Sequence, residues 1–112
     1  MKWLVPGLFG LIASPAAAAP EIVSVRYLCE RDVVIPVTYV NAAEGSVAVL
    51  QVEGRQIALP QALSASGARY GVMGGASGYF WWSKGDGGTL SWFDADHKEE
   101  VTLFMECEEA AE

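Results

Sequence analysis

Residues 64–90 read SASGARYGVMGGASGYFWWSKGDGGTL, and this stretch decides the fold. Aromatic residues fill Tyr79–Trp82, a composition that favours extended, half-buried backbone. Lys84-Gly85-Asp86-Gly87-Gly88 follows almost at once. Strand-forming aromatics running into a glycine-rich, charged run describe a strand entering a tight turn. Upstream, Ala68–Met73 reads as another strand, and Gly74–Gly78 as the flexible link between the two. Two short patterns stand out, Ser66-Gly67-x-x-Tyr70 and Trp82-x-Lys84-Gly85. No other lysine lies between Lys2 and Lys98. Lys84 therefore has two roles open to it. It is a solvated turn charge, the common fate of such a residue, or a probe held on a stiff support for another molecule's cavity.

The flanking sequence repeats the strand signal. Ile22–Glu30 alternates, with Val23, Val25, Tyr27 and Cys29 on one face and Ser24, Arg26 and Glu30 on the other. That is the pattern of a half-buried strand. Val33–Val40 is a second strand, its face formed by Val33, Ile35, Val37 and Tyr39. Pro36 cannot donate to a ladder, so a bulge or an edge is expected there. Val47–Glu53 and Gln56–Leu59 follow as the third and fourth strands, and Ala68–Met73 and Tyr79–Ser83 as the fifth and sixth. Thr89–Asp94 makes the seventh. Beyond a polar turn at 95–100, Val101, Leu103, Met105 and Cys107 line one face of the eighth. No segment keeps a helical period over three turns. Eight short strands at this spacing describe an all-β sandwich or a small barrel.

A chain of 112 residues, 52% apolar and 19% charged, holds one domain with a packed core. The net charge of −7 repels nucleic acid and attracts a basic protein. Met1-Lys2, the apolar run Trp3–Ile12 and the small residues Ala13–Ala19 read as a secretory signal peptide over residues 1–18. The run is too short to span a membrane. Cleavage after Ala18 leaves a domain over 19–112, and loss of Lys2 brings its net charge to −8. No cysteine lies near the cut, so a lipid-bearing membrane anchor is not expected. Cys29 and Cys107 bracket the domain. In an exported chain such a pair reads as one disulfide, worth about 4–5 kcal/mol at most on the chain-entropy model.

The residues argue against an enzyme. His97 is the single histidine, and no nucleophile has a base near it in sequence. Asp94, Asp96 and His97 match no calcium or zinc loop, so no metal or other cofactor is expected. Alternation along Tyr79–Ser83 sends at least one of Trp81 and Trp82 outward, and exposed aromatics suit a recognition surface. Ser66 also fits a plain turn-capping role, and Tyr70 fits the core.

In order along the chain, Tyr27-x-Cys29, Ser66-Gly67-x-x-Tyr70, Trp82-x-Lys84-Gly85 and a closing Cys107 resemble the bacterial inhibitors of C-type lysozyme. The likeness covers about residues 27–107 and includes the export signal. It implies a small antiparallel eight-stranded β-barrel and a C-type lysozyme, a basic protein, as partner. Without a lipid-attachment cysteine, the chain is similar to the family's soluble periplasmic members. The resemblance places partner contact on Ser66, Gly67, Arg69 and Tyr70 of one motif and on Trp82, Lys84 and Gly85 of the other. Ser66 and Lys84 would enter the lysozyme cleft and meet its catalytic carboxylates. Two features depart from the family pattern. Gly74–Ser77 lengthens the connection between the motifs, which bears on the spacing of Ser66 from Lys84, and Gly88 replaces a usual alanine. Two other functions are compatible with an exported barrel: a carrier of a small apolar ligand, and a structural protein of the envelope.

Overall fold

The computed structural model describes residues 19–64 and 66–110. The segment read as a signal peptide lies outside the described residues. Eight strands form a closed antiparallel barrel in sequence order. They are β1 (Glu21–Leu28), β2 (Val34–Ala42), β3 (Gly45–Val52), β4 (Arg55–Ala62), β5 (Ala68–Gly71), β6 (Gly78–Lys84), β7 (Gly87–Asp94) and β8 (Glu99–Glu109). The choice between sandwich and barrel thus falls to the barrel.

Alternation sorts the side chains as expected except in β8, where register irregularities against β7 turn Phe104 inward with Cys107 and leave Val101 and Met105, expected on the same face as Cys107, exposed. Ile35 and Val37 of β2, Ala48 and Leu50 of β3, Trp81 of β6 and Leu90 of β7 point inward and are fully or almost fully buried. The interior is filled by side chains, as in other small barrels. Trp81 is 0% exposed and meets Tyr27 edge-on at 4.9 Å. Its indole N–H donates to the Tyr39 hydroxyl at 2.8 Å, and that hydroxyl shares a 2.7 Å bond with Tyr27. Three buried polar groups therefore satisfy one another. Burial, with the Tyr39 bond behind it, pushes the Tyr27 phenol well above its ordinary range.

The two prolines that lie within strands, Pro36 and Pro60, sit where one ladder stops. The β2–β3 ladder begins at Val37–Leu50, just beyond Pro36. The β4–β5 ladder begins at Gln61–Tyr70, just beyond Pro60. A missing N–H costs little at such positions. β4 accordingly continues through Pro60 to Ala62, beyond the expected end at Leu59. β5 is shorter than expected and stops at Gly71 rather than Met73. Val72 and Met73 have strand-like side chains but find no partner, and are 46% and 64% exposed.

Gly88 has a packing reason. A Cβ at this position would lie 2.2 Å from Cζ2 of Trp81, so the indole occupies the space that an alanine methyl would need. Gly88→Ala is expected to destabilise the barrel by about 1–3 kcal/mol through overpacking. In a domain of this size that lowers the melting temperature by about 4–8 °C per kcal/mol. A thermal melt of the variant checks this, and an unchanged melting temperature would show that the barrel makes room at no cost.

The barrel closes on a short seam. β1 and β8 pair only at Tyr27–Glu109 and Leu28–Glu108, extended by a 2.8 Å bond from the Ala110 N–H to the Arg26 carbonyl. Two further links reinforce it. Cys29 and Cys107 form the expected disulfide. A tight turn at Glu30–Asp32, with Arg31 and Asp32 at φ of 60° and 58°, aims the Glu30 carboxylate at β8. There it accepts the N–H groups of Met105 and Glu106 at 2.8 and 3.0 Å. Backbone N–H groups, its own first and then that of Met105, hold this carboxyl below the usual range.

Candidate functional site

The antiparallel topology brings the two sequence motifs together at one end of the barrel. Ala68 pairs with Ser83 and Arg69 with Trp82, so the loop before β5 lies beside the turn after β6. Gly85 follows Lys84 with φ of 59°, and Lys84 pairs with Gly87. A two-residue turn with positive φ only at its first central position matches the twist of the strands it joins. Lys84 is thereby fixed at the rim. Its side chain is exposed and, among the described residues, makes no ion pair.

The loop and the turn touch. Gly67 has φ of 66°, a conformation suited to glycine. A Cβ on it would sit 2.5 Å from the Ser83 carbonyl, 2.9 Å from Trp82 Nε1 and 3.2 Å from Lys84 Cβ. Only a glycine allows this approach. The Trp82 indole N–H donates to the Ser66 carbonyl at 2.9 Å. The Ser64 hydroxyl donates to the same carbonyl at 2.6 Å. The Lys84 ammonium lies 5.6 Å from the centre of the Trp82 ring, within cation–π range. Ser66, Gly67, Trp82, Lys84 and Gly85 thus form one exposed or half-buried cluster.

Two residues of the motifs do not join that surface. Tyr70 is buried at 5% exposure and packs on Tyr39 with ring centres 5.6 Å apart. Burial raises its phenol's pKa. It packs inside the barrel behind the site, in agreement with the core role that its strand position allowed. Arg69 turns away from Lys84. Its guanidinium lies over Phe80 at 4.4 Å and meets the Glu100 carboxylate at 2.6 Å. Both partners already satisfy its charge.

The lengthened connection does not disturb the site. Residues 74–77 join the other ends of β5 and β6, across the barrel from Ser66 and Lys84. The Ser77 hydroxyl accepts the Ala95 N–H at 2.8 Å and ties this loop to the β7–β8 turn. In that turn Asp94 acts as a cap: its carboxylate accepts the N–H of Asp96 at 3.0 Å and meets His97 Nδ1 at 2.7 Å. The His97 bond, chiefly, keeps the Asp94 carboxyl below its ordinary range. No group of three His, Cys, Asp or Glu side chains able to hold a metal ion occurs among the described residues.

Sequence reasoning missed the groove beside Lys84, where Asp86, Thr89, Met105, Glu106 and Glu108 line one wall of the site. Nothing in the local pattern of β8 signals this, because the groove arises only where β6, β7 and β8 lie side by side in the sheet.

Fold and site together define a small β-barrel that presents an exposed, lysine-bearing rim. The family model described as "Membrane-bound lysozyme-inhibitor of c-type lysozyme" matches residues 27–99, and the chain belongs to that family. A Cupriavidus necator protein named membrane-bound lysozyme inhibitor of C-type lysozyme is 39% identical over 71 residues, 63% of this chain and 54% of that protein. A Pseudomonas aeruginosa protein of the same name is 36% identical over 80 residues, 70% of this chain and 60% of that protein. The chain thus spans between half and two thirds of the curated relatives it matches. Among solved structures, Pseudomonas aeruginosa MliC in complex with hen egg white lysozyme superposes with a TM-score of 0.64 at 29% identity. That match covers 94% of this chain and 99% of the other. PliC-St, a periplasmic lysozyme inhibitor of C-type lysozyme from Salmonella typhimurium, gives 0.66 at 25% identity, covering 81% and 100%.

Proposed function

We propose that this protein is a non-enzymatic inhibitor of a C-type lysozyme, acting in the periplasm to protect peptidoglycan. Ser66 and Lys84 enter the enzyme's cleft. The observation that carries this reading is the contact between the two motifs, which places an exposed serine and an unpaired lysine side by side on one rigid rim. Lysozyme cuts its substrate with a pair of carboxylates. An ammonium with three donors satisfies both and obstructs the substrate. Membership of the family and the likeness to an inhibitor solved with hen egg white lysozyme support the partner. The side-chain-filled interior argues against a carrier of small apolar ligands.

An assay of cell-wall lysis by hen egg white lysozyme, with the purified domain added, tests the reading. Inhibition is expected, and association should slow as salt rises, because an acidic body steers a basic enzyme and salt screens that field over about 8–10 Å. Full lysozyme activity at a large excess of the domain would overturn the reading. Salt-independent association would remove steering alone.

A further inference from the structure

We propose that Trp82 is a positioning residue that couples Ser66 to Lys84, so that the two act as one rigid element. The proposal rests on the reading above and concerns how the rim is held. Trp82 faces outward from β6, between Arg69 of β5 and Thr89 of β7. Its backbone is therefore fixed on both sides. From this base the indole works in two directions. Its N–H holds the Ser66 carbonyl at 2.9 Å. Its ring face lies 5.6 Å from the Lys84 ammonium. Gly67 packs against the same Nε1, with no room for a side chain between.

The loop needs such a tie. Ser64, Ser66 and Gly67 lie between β4 and β5, outside both strands, and the Ser66 side chain is exposed. A loop serine left to itself loses conformational freedom on binding, and that loss subtracts from affinity. A loop already fixed by the indole has lost it beforehand. The bond uses the carbonyl of Ser66 and leaves the hydroxyl free for a partner.

Trp82→Phe keeps a ring under Lys84 and removes only the N–H. It is expected to weaken inhibition by roughly two- to ten-fold, about the worth of one neutral hydrogen bond. Ser66→Ala should cost a similar factor. The double variant should be little weaker than either single one, because both remove the same contribution. In the free protein, backbone 15N order parameters at Ser66 and Gly67 should fall in Trp82→Phe from the rigid range near 0.85 toward the flexible range, while those of β6 do not. Multiplying factors in the double variant would show Trp82 contacting the enzyme in its own right, and unchanged order parameters would show that the indole does not hold the loop. Either result overturns the proposal. Full inhibition by Lys84→Ala, with order parameters that respond as expected, would instead overturn the underlying site while leaving the positioning role intact.

Discussion

Lys84→Ala is expected to weaken inhibition of a C-type lysozyme by roughly thirty-fold to several-thousand-fold, with the barrel still folded. The range follows from the cost of truncating one partner of a buried charge pair, about 2–5 kcal/mol. In a closed cleft the enzyme's carboxylates would be left desolvated and unpaired. The fold should tolerate the change, because the Lys84 side chain is exposed and the turn depends on Gly85 at φ of 59°. Lys98→Ala is the charge-matched control. Lys98 lies in the β7–β8 turn at the opposite end of the barrel and should matter little. Inhibition constants for the two variants, measured beside their melting temperatures, decide the matter. A Lys84→Ala protein that inhibits as well as the parent, beside a Lys98→Ala protein that does not, would move the site to the other end.

Breaking the disulfide should have the largest effect on stability. Cys29→Ala with Cys107→Ala, or reduction by a dithiol, is expected to cost about 2–5 kcal/mol. The seam it crosses otherwise rests on two residue pairs, a flanking backbone bond and the Glu30 carboxylate. Because the fold depresses the Glu30 carboxyl, its bonds contribute fully above the unfolded pKa, near 4.5, and are lost as pH falls through the lower folded value. The reduced protein should therefore melt lower at neutral pH and unfold at a higher pH on acidification. Calorimetry of oxidised and reduced protein between neutral pH and pH 3 reads both effects. Coincident melts throughout would mean that the pairing alone closes the barrel.

The sequence carried most of the architecture, for a definite reason. The central strands of this barrel turn one face to the core and the other toward solvent, so residues such as Ile35, Val37 and Tyr39 announce their direction by alternation alone, whereas β8 breaks the period and buries Phe104 in place of Met105. Where that logic lapses, expectation and structure part. Val72 and Met73 look like strand and lie in a loop, since exposure is not written into an apolar side chain. The barrel could not be told from a sandwich by period, which says nothing of how the first strand meets the last. The rim was legible as two motifs and as a resemblance. Their contact was not, because it depends on the approach of Gly67 to Trp82 and on an indole bond to a backbone carbonyl. Gly88 looked like a departure from pattern and became intelligible only once the Trp81 ring lay across it.

The short seam also orders events as the chain folds. Each ladder but one joins neighbours in sequence, and hairpins of this kind form in about 1–10 μs. Closing β1 on β8 instead joins Leu28 to Glu108 and Tyr27 to Glu109, 80 and 82 positions apart, at a loop-closure entropy that must be met before any contact there repays it. The contact of Ser66 and Gly67 with Trp82 and Lys84 belongs wholly to the local part, β4 to β7. Its shape is thus specified by nearby residues, and ring closure, the slow and distant event, locks a rim that is already drawn.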